Sequence, residues 1–309
     1  MADGTRVEYL DWGGRGEVLV FVAGLGNTAH VFDTFAPRFT GRYRVIGVTR
    51  RGFGGSDRPA QGYEPAVLAT DIVAVLDSLG VRRATLIGHS IGGGEITAVA
   101  AAHPGRVRRL VYLDSYNFGC HARAGARPAR APRAPGTQPA GLFVSDPART
   151  ALTSADSVSA AAMHAAYTRK VGWSFPIDEL RAQREEGTTG ARAAGLGEGG
   201  MMRAIMSGAR ACHPDVRQPA LGVFADVQPR WEAFDEQRRP VQLTPEQERV
   251  ETHDLRALVQ WDRDRFRAQV PNSRTVLIPG AHHFIFLSNP DRVYREVRTF
   301  LAATRDRPR

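Results

Sequence analysis

The chain has 309 residues, is 42% hydrophobic and 24% charged, and carries a formal net charge of +9, a composition that can bury a sizeable core in an ordinary globular protein. No stretch approaches the ~18 apolar residues of a membrane-spanning helix, and the opening MADGTRVEYLDWGG lacks the apolar centre of a signal peptide. Two cysteines, Cys120 and Cys212, form no disulfide framework, and their spacing to His121 and His213 is not a zinc pattern, so a reduced, cytoplasmic setting is expected.

EVLVFVA (17–23), RVIGV (44–48), ATLIG (84–88) and RLVYL (109–113) are short, nearly unbroken apolar runs, the pattern of strands covered on both faces in a parallel sheet. Between them, PAVLATDIVAVLDSLG (65–80) opens with proline, spaces its apolar residues helically and closes at Gly80, and EITAVAAAHPG (95–105) reads as a helix stopped by Pro104. The alternation breaks from about Tyr116 to Gln218, where Ala, Gly, Pro and Arg dominate around amphipathic pieces at 157–173 and 199–210. HARAGARPARAPR (121–133) is the one dense run of arginine, and Lys170 is the only lysine in the chain. Without interleaved aromatics or a recognition motif this is no nucleic-acid site. With little to bury, 121–140 is expected to be a flexible, solvated stretch.

Strand and helix patterns resume with PALGVFA (219–225), a polar helix over 245–269, RTVLIPG (274–280) and DRVYREVRTFLAA (291–303). The fold class is therefore α/β: a doubly wound, mostly parallel sheet with an inserted, mainly helical cap. Residues 1–115 form the first part of the core, 116–218 the cap, and 219–309 the second part of the core. Met163, Tyr167, Trp173, Phe175, Met201, Met202, Ile205 and Met206 of the cap either line an acyl pocket or form the cap's own core.

Gly88-His89-Ser90-Ile91-Gly92 follows a strand and precedes a helix, the setting of a nucleophile elbow, in which small flanking residues permit a strained turn. A phosphate-binding loop would need Gly-Lys-Ser/Thr, and a dinucleotide fingerprint a GxGxxG near the first strand; neither is present.

Four stretches together resemble the α/β-hydrolase superfamily in its capped serine-esterase branch: FVAGLGNTAHVFD (21–33), TRRGFGGSDRP (49–59), LIGHSIGG (86–93) and IPGAHHFIFLSNP (278–290). The resemblance covers 5–115 and 219–303. It implies Ser90 as nucleophile, His283 as general base, and an oxyanion hole made by the backbone N–H groups of Leu25 and Ile91. Ala23 stands where the family usually has histidine, and His282 takes a position often held by glycine, where it is expected to line the site or face water. The usual acid position falls on Gln228, which cannot stabilise an imidazolium as a carboxylate does. Some branches use the end of the strand after the elbow, which selects Asp114, with Asp226 as the alternative acid.

The resemblance implies a serine hydrolase that cleaves a small or medium carboxylic ester through an acyl-enzyme, with no cofactor, no metal and no partner beyond that small molecule. Lactone, amide, carbon–carbon bond or perhydrolytic chemistry on the same triad is the alternative. So is a ligand-binding protein that has lost turnover. Nothing in the sequence sets an oligomeric state.

Overall fold

The computed structural model describes residues 1, 3–115, 152, 155–185, 205, 216–226 and 244–304, with 247, 248, 251 and 255 described by their backbone alone. The 121–140 stretch, both cysteines, Gln228, Met201, Met202 and Met206 lie outside the described residues.

Seven strands form one sheet: β1 (Tyr9–Gly13), β2 (Val18–Val22), β3 (Arg44–Val48), β4 (Ala84–His89), β5 (Val107–Leu113), β6 (Ala220–Asp226) and β7 (Ser273–Pro279). Their order across the sheet is β1-β3-β2-β4-β5-β6-β7. β1 runs antiparallel to β3 and every other pairing is parallel. Helices α1 (Pro65–Ser78) and α2 (Gly92–Ala102) follow β3 and β4; α3 (Ala160–Val171) and α4 (Ile177–Glu185) belong to the long segment between β5 and β6. α5 (Pro245–Gln269) precedes β7, and the short α6 (Ile285–Ser288) and α7 (Pro290–Ala303) close the chain. Among the described residues no helix is long and apolar enough to cross a membrane.

Both faces of the sheet are covered, which is why the strands read as continuous apolar runs. Leu19, Phe21, Val45, Val111 and Val223 point into one cluster with Val293 and Val297 of α7. The alternate residues Val18, Val20, Val22, Ile46 and Leu110 point into the other, against Ile72 and Leu76 of α1, Ile96 and Val99 of α2, and Phe266 of α5. From α3, α4 and the link between them, Met163, Tyr167, Trp173, Phe175 and Leu180 join the first of these clusters.

The topology also selects a place for chemistry. β2 lies between β3 and β4, so the chain leaves β2 for one neighbour and later returns on its other side. Loops after β2 and β4 therefore diverge, opening a crevice at the C-terminal ends of the strands.

Candidate active site

Ser90 stands at this end of the sheet, directly after β4 and two residues before α2. Its φ is 51°, a left-handed conformation that costs a non-glycine residue about 1–2 kcal/mol. Neighbouring strands hold it there. Ser90 N donates to Leu113 O at 3.1 Å, and Ser90 O accepts from Gly93 N at 3.0 Å and from Ser115 Oγ at 2.5 Å. Gly92 is required by close approach, since a Cβ there would stand 2.6 Å from Val22 O. Helix α2 starts at this glycine, three residues earlier than the 95–105 reading.

Asp114, at the end of β5, is the other described non-glycine residue with positive φ, at 45°. Its backbone N donates to Val223 O at 2.7 Å. The carboxylate is buried; Oδ1 accepts from Ala225 N at 2.8 Å, and Oδ2 lies 2.7 Å from His283 Nδ1. An ionised carboxylate only accepts, so in this bond it is His283 Nδ1 that donates. Asp226, at the end of β6, does not reach His283; its Oδ1 lies 3.8 Å from Arg256 Nε.

His283 is brought to the elbow by the residue before Ser90. His89 Nε2 donates to His283 O at 3.1 Å, and the two rings are 4.6 Å apart. Burial, reinforced by the proximity of His283, holds the His89 pKa well below its ordinary value. His282 corrects one expectation: it does not face water. It is buried, 4.9 Å from the Trp173 ring and stacked with Phe284 at 5.9 Å. Burial, then the neighbouring His283, pushes its pKa down to about 3.

The Gly24 loop after β2 packs directly on this pair. A Cβ on Gly24 would stand 2.8 Å from His89 Nδ1 and 3.3 Å from Ser90 Cβ. Leu25 and Ile91, the two residues expected to supply oxyanion donors, share an apolar cluster with Phe53, Tyr63 and Ile205. Further along the loop, Asn27 and Thr28 are held by Glu179 of α4. Its carboxylate accepts from Asn27 Nδ2 at 2.8 Å, Thr28 Oγ1 at 2.5 Å and Thr28 N at 3.2 Å. Sequence reasoning missed His89, Glu179 and Arg50, whose guanidinium donates to Ala23 O and Gly24 O of the same loop, as parts of this arrangement. His89 sits inside the elbow motif and Arg50 in a double arginine, but Glu179, in a charged helix remote in sequence, carried no signal.

Among the described residues, His30, Asp33 and Asp178 bring ligand-type atoms within 4.8 Å of one another. Both carboxylates already have partners, Asp33 in Trp12 Nε1 and His30, Asp178 in Arg181.

Residues 17–181, more than half of the chain, match the family model for the α/β hydrolase fold, and the chain belongs to that family. It is 27% identical over 290 residues, 94% of this chain and 90% of the other, to a 2-(acetamidomethylene)succinate hydrolase of Mesorhizobium japonicum. It is 42% identical to a non-heme chloroperoxidase of Streptomyces lividans over 117 residues, which span 37% of this chain and 42% of that relative's length. A crystal structure of E-2-(acetamidomethylene)succinate hydrolase superposes with a TM-score of 0.58 at 22% identity, covering 96% of both chains; at that identity the likeness speaks for the fold.

Proposed function

We propose that this hydrolase is a serine enzyme that cleaves a small or medium carboxylic ester without a cofactor. Ser90 attacks the carbonyl, His283 takes the proton through Nε2 and returns it to the leaving group, and Asp114 holds the imidazole in the required tautomer. Backbone N–H groups of Leu25 and Ile91 receive the oxyanion, and water then releases the acyl group from Ser90. Residues 116–218 act as a cap, with Leu25, Phe53, Tyr63, Ile91 and Ile205 forming an apolar seat for the substrate. The observation that carries this reading is the strained turn at Ser90 next to His89, which bonds to the backbone of His283, whose Nδ1 is in turn bonded to a buried Asp114.

The test is turnover of p-nitrophenyl esters graded by acyl length, together with labelling by a fluorophosphonate probe. Both are expected in the natural protein and lost in Ser90→Ala. Labelling without turnover of any acyl substrate would favour a binding protein on the hydrolase fold. Activity abolished by a chelator and restored by zinc would overturn the serine mechanism. One second reading has specific support: the relative matched over nearly its whole length is named for a substrate carrying an acetamido group. Amide substrates therefore belong beside the esters in the panel.

A further inference from the structure

Arg50 follows β3 by two residues, is only 5% exposed, and reaches across the end of β2. Its Nη2 donates to Ala23 O at 2.9 Å and its Nη1 to Gly24 O at 3.2 Å. The second carbonyl belongs to the peptide whose N–H is that of Leu25. The described peptide bonds are trans, and in a planar trans peptide C=O and N–H point in opposite directions. A donor fixed on Gly24 O therefore fixes the direction of Leu25 N–H. Because that donor is a guanidinium, it also polarises the peptide and strengthens the N–H as a donor.

The other side of the guanidinium faces α2. Arg50 Nε donates to Glu95 Oε1 at 2.6 Å, with Nη2 2.5 Å from the same oxygen. Glu95 lies in the first turn of α2, four residues past Ile91. One planar group thus ties the Leu25 peptide to helix α2, whose N-cap residue is Ile91. The pair is almost fully buried, with side-chain exposures of 2% and 5%. Buried ion pairs of this kind are often no better for stability than apolar residues of equal volume, so a geometric role is the better account of this one.

Resting on the serine-hydrolase reading above, we infer that Arg50, buttressed by Glu95, is a positioning residue that aims and polarises the Leu25 N–H of the oxyanion hole and sets its place relative to Ile91. The peptide matters most when charge develops on the substrate oxygen, so its loss should weaken the transition state and spare the ground state.

Two variants test this. Arg50→Lys keeps the charge beside Glu95 but has no planar fork to span both carbonyls. The double variant Arg50→Met with Glu95→Leu removes both charges together, so neither is left buried alone. Each is compared with the natural protein for kcat and KM on its best ester, for affinity toward an alkyl boronic acid, whose tetrahedral adduct carries an oxyanion, and for melting temperature. Fluorophosphonate labelling of the natural protein is scored first, because its absence there would sink the serine-hydrolase reading itself. With labelling present, the expected result is a loss of about 10- to 100-fold in kcat and in boronate affinity, an unchanged KM, and a folded protein. Folded variants with unchanged kcat and boronate affinity would overturn the inference, as would losses shared between KM and kcat. Failure of both variants to fold would assign Arg50 to stability and overturn it as well.

Discussion

The carboxylate of Asp114 reaches His283 Nδ1 at 2.7 Å from the end of β5, while Asp226, one strand further along, faces Arg256. Two hydrogen bonds, one backbone from Asp114 N to Val223 O and one from Ala225 N to the carboxylate Oδ1, fix the acid against β6. Asp114→Asn should leave the fold intact and cut kcat heavily, up to ~10⁴-fold, by favouring the wrong imidazole tautomer. Asp226→Asn should stay within a few-fold of the natural protein. Steady-state kinetics of both decide the matter; an inactive Asp226→Asn would move the acid to β6.

His282 should matter to acid stability and His283 to turnover. Burial keeps the folded pKa of His282 at about 3, against an ordinary value of 6.5. Above pH 6.5 the ring is neutral in both states and contributes no pH dependence. Between 6.5 and about 3 the unfolded chain binds a proton that the folded protein refuses, so stability falls as pH falls. At pH 5 this amounts to ~2 kcal/mol. His282→Phe preserves an aromatic ring between Trp173 and Phe284 and should flatten that acid limb in melting experiments, with activity at pH 7 within a few-fold. His283→Ala should abolish turnover. An unchanged acid slope in His282→Phe would assign the sensitivity to another group.

Glu179 receives every hydrogen bond it makes to the loop after β2, and one more from Gln183, from neutral donors, and burial pushes its pKa up. Glu179→Ala strands those buried donors at a cost of about 3 kcal/mol, read as a melting temperature lower by several degrees. Turnover should fall with it, because the same loop begins at Gly24. Full stability in Glu179→Ala would show that Asn27 and Thr28 find other acceptors.

Gly24→Ala places a methyl group 2.8 Å from Nδ1 of the fully buried His89 and 3.3 Å from Ser90 Cβ. The loop has to shift away from Ser90, and kcat should drop by about 10²-fold or more in a protein that still melts cooperatively. Natural kcat in this variant would separate the Gly24 loop from the chemistry.

The parallel strands were legible because a strand buried on both faces leaves an unbroken apolar run, and Ser90 was singled out by the glycine-flanked turn after one, whereas Asp114 and His283 were singled out by what the family resemblance implies. The edge strand β1, YLDWG, was not read as a strand: it pairs on one side only and leaves Tyr9 exposed. Helix α4, IDELRAQRE, escaped notice because the side chains it buries are Glu179 and Leu180, and a buried acid is invisible to a hydrophobic pattern. Arg50 escaped for a related reason. Its partners Ala23 O and Gly24 O are main-chain atoms, which no residue spacing encodes. Its neighbour Arg51 reads the same in sequence yet turns to Asp71 and Asp3.

Trp173 and Phe175 pack on His282 and Phe284, and Tyr167 and Leu180 share one apolar cluster with Phe32 and Leu113 of the sheet domain. An insertion joined to its host in this way is not an interchangeable cassette. Exchanging it for the corresponding segment of a relative would leave an aromatic socket at 282–286 without its plug. A graft of these helices therefore has to bring residues 282–286 with them.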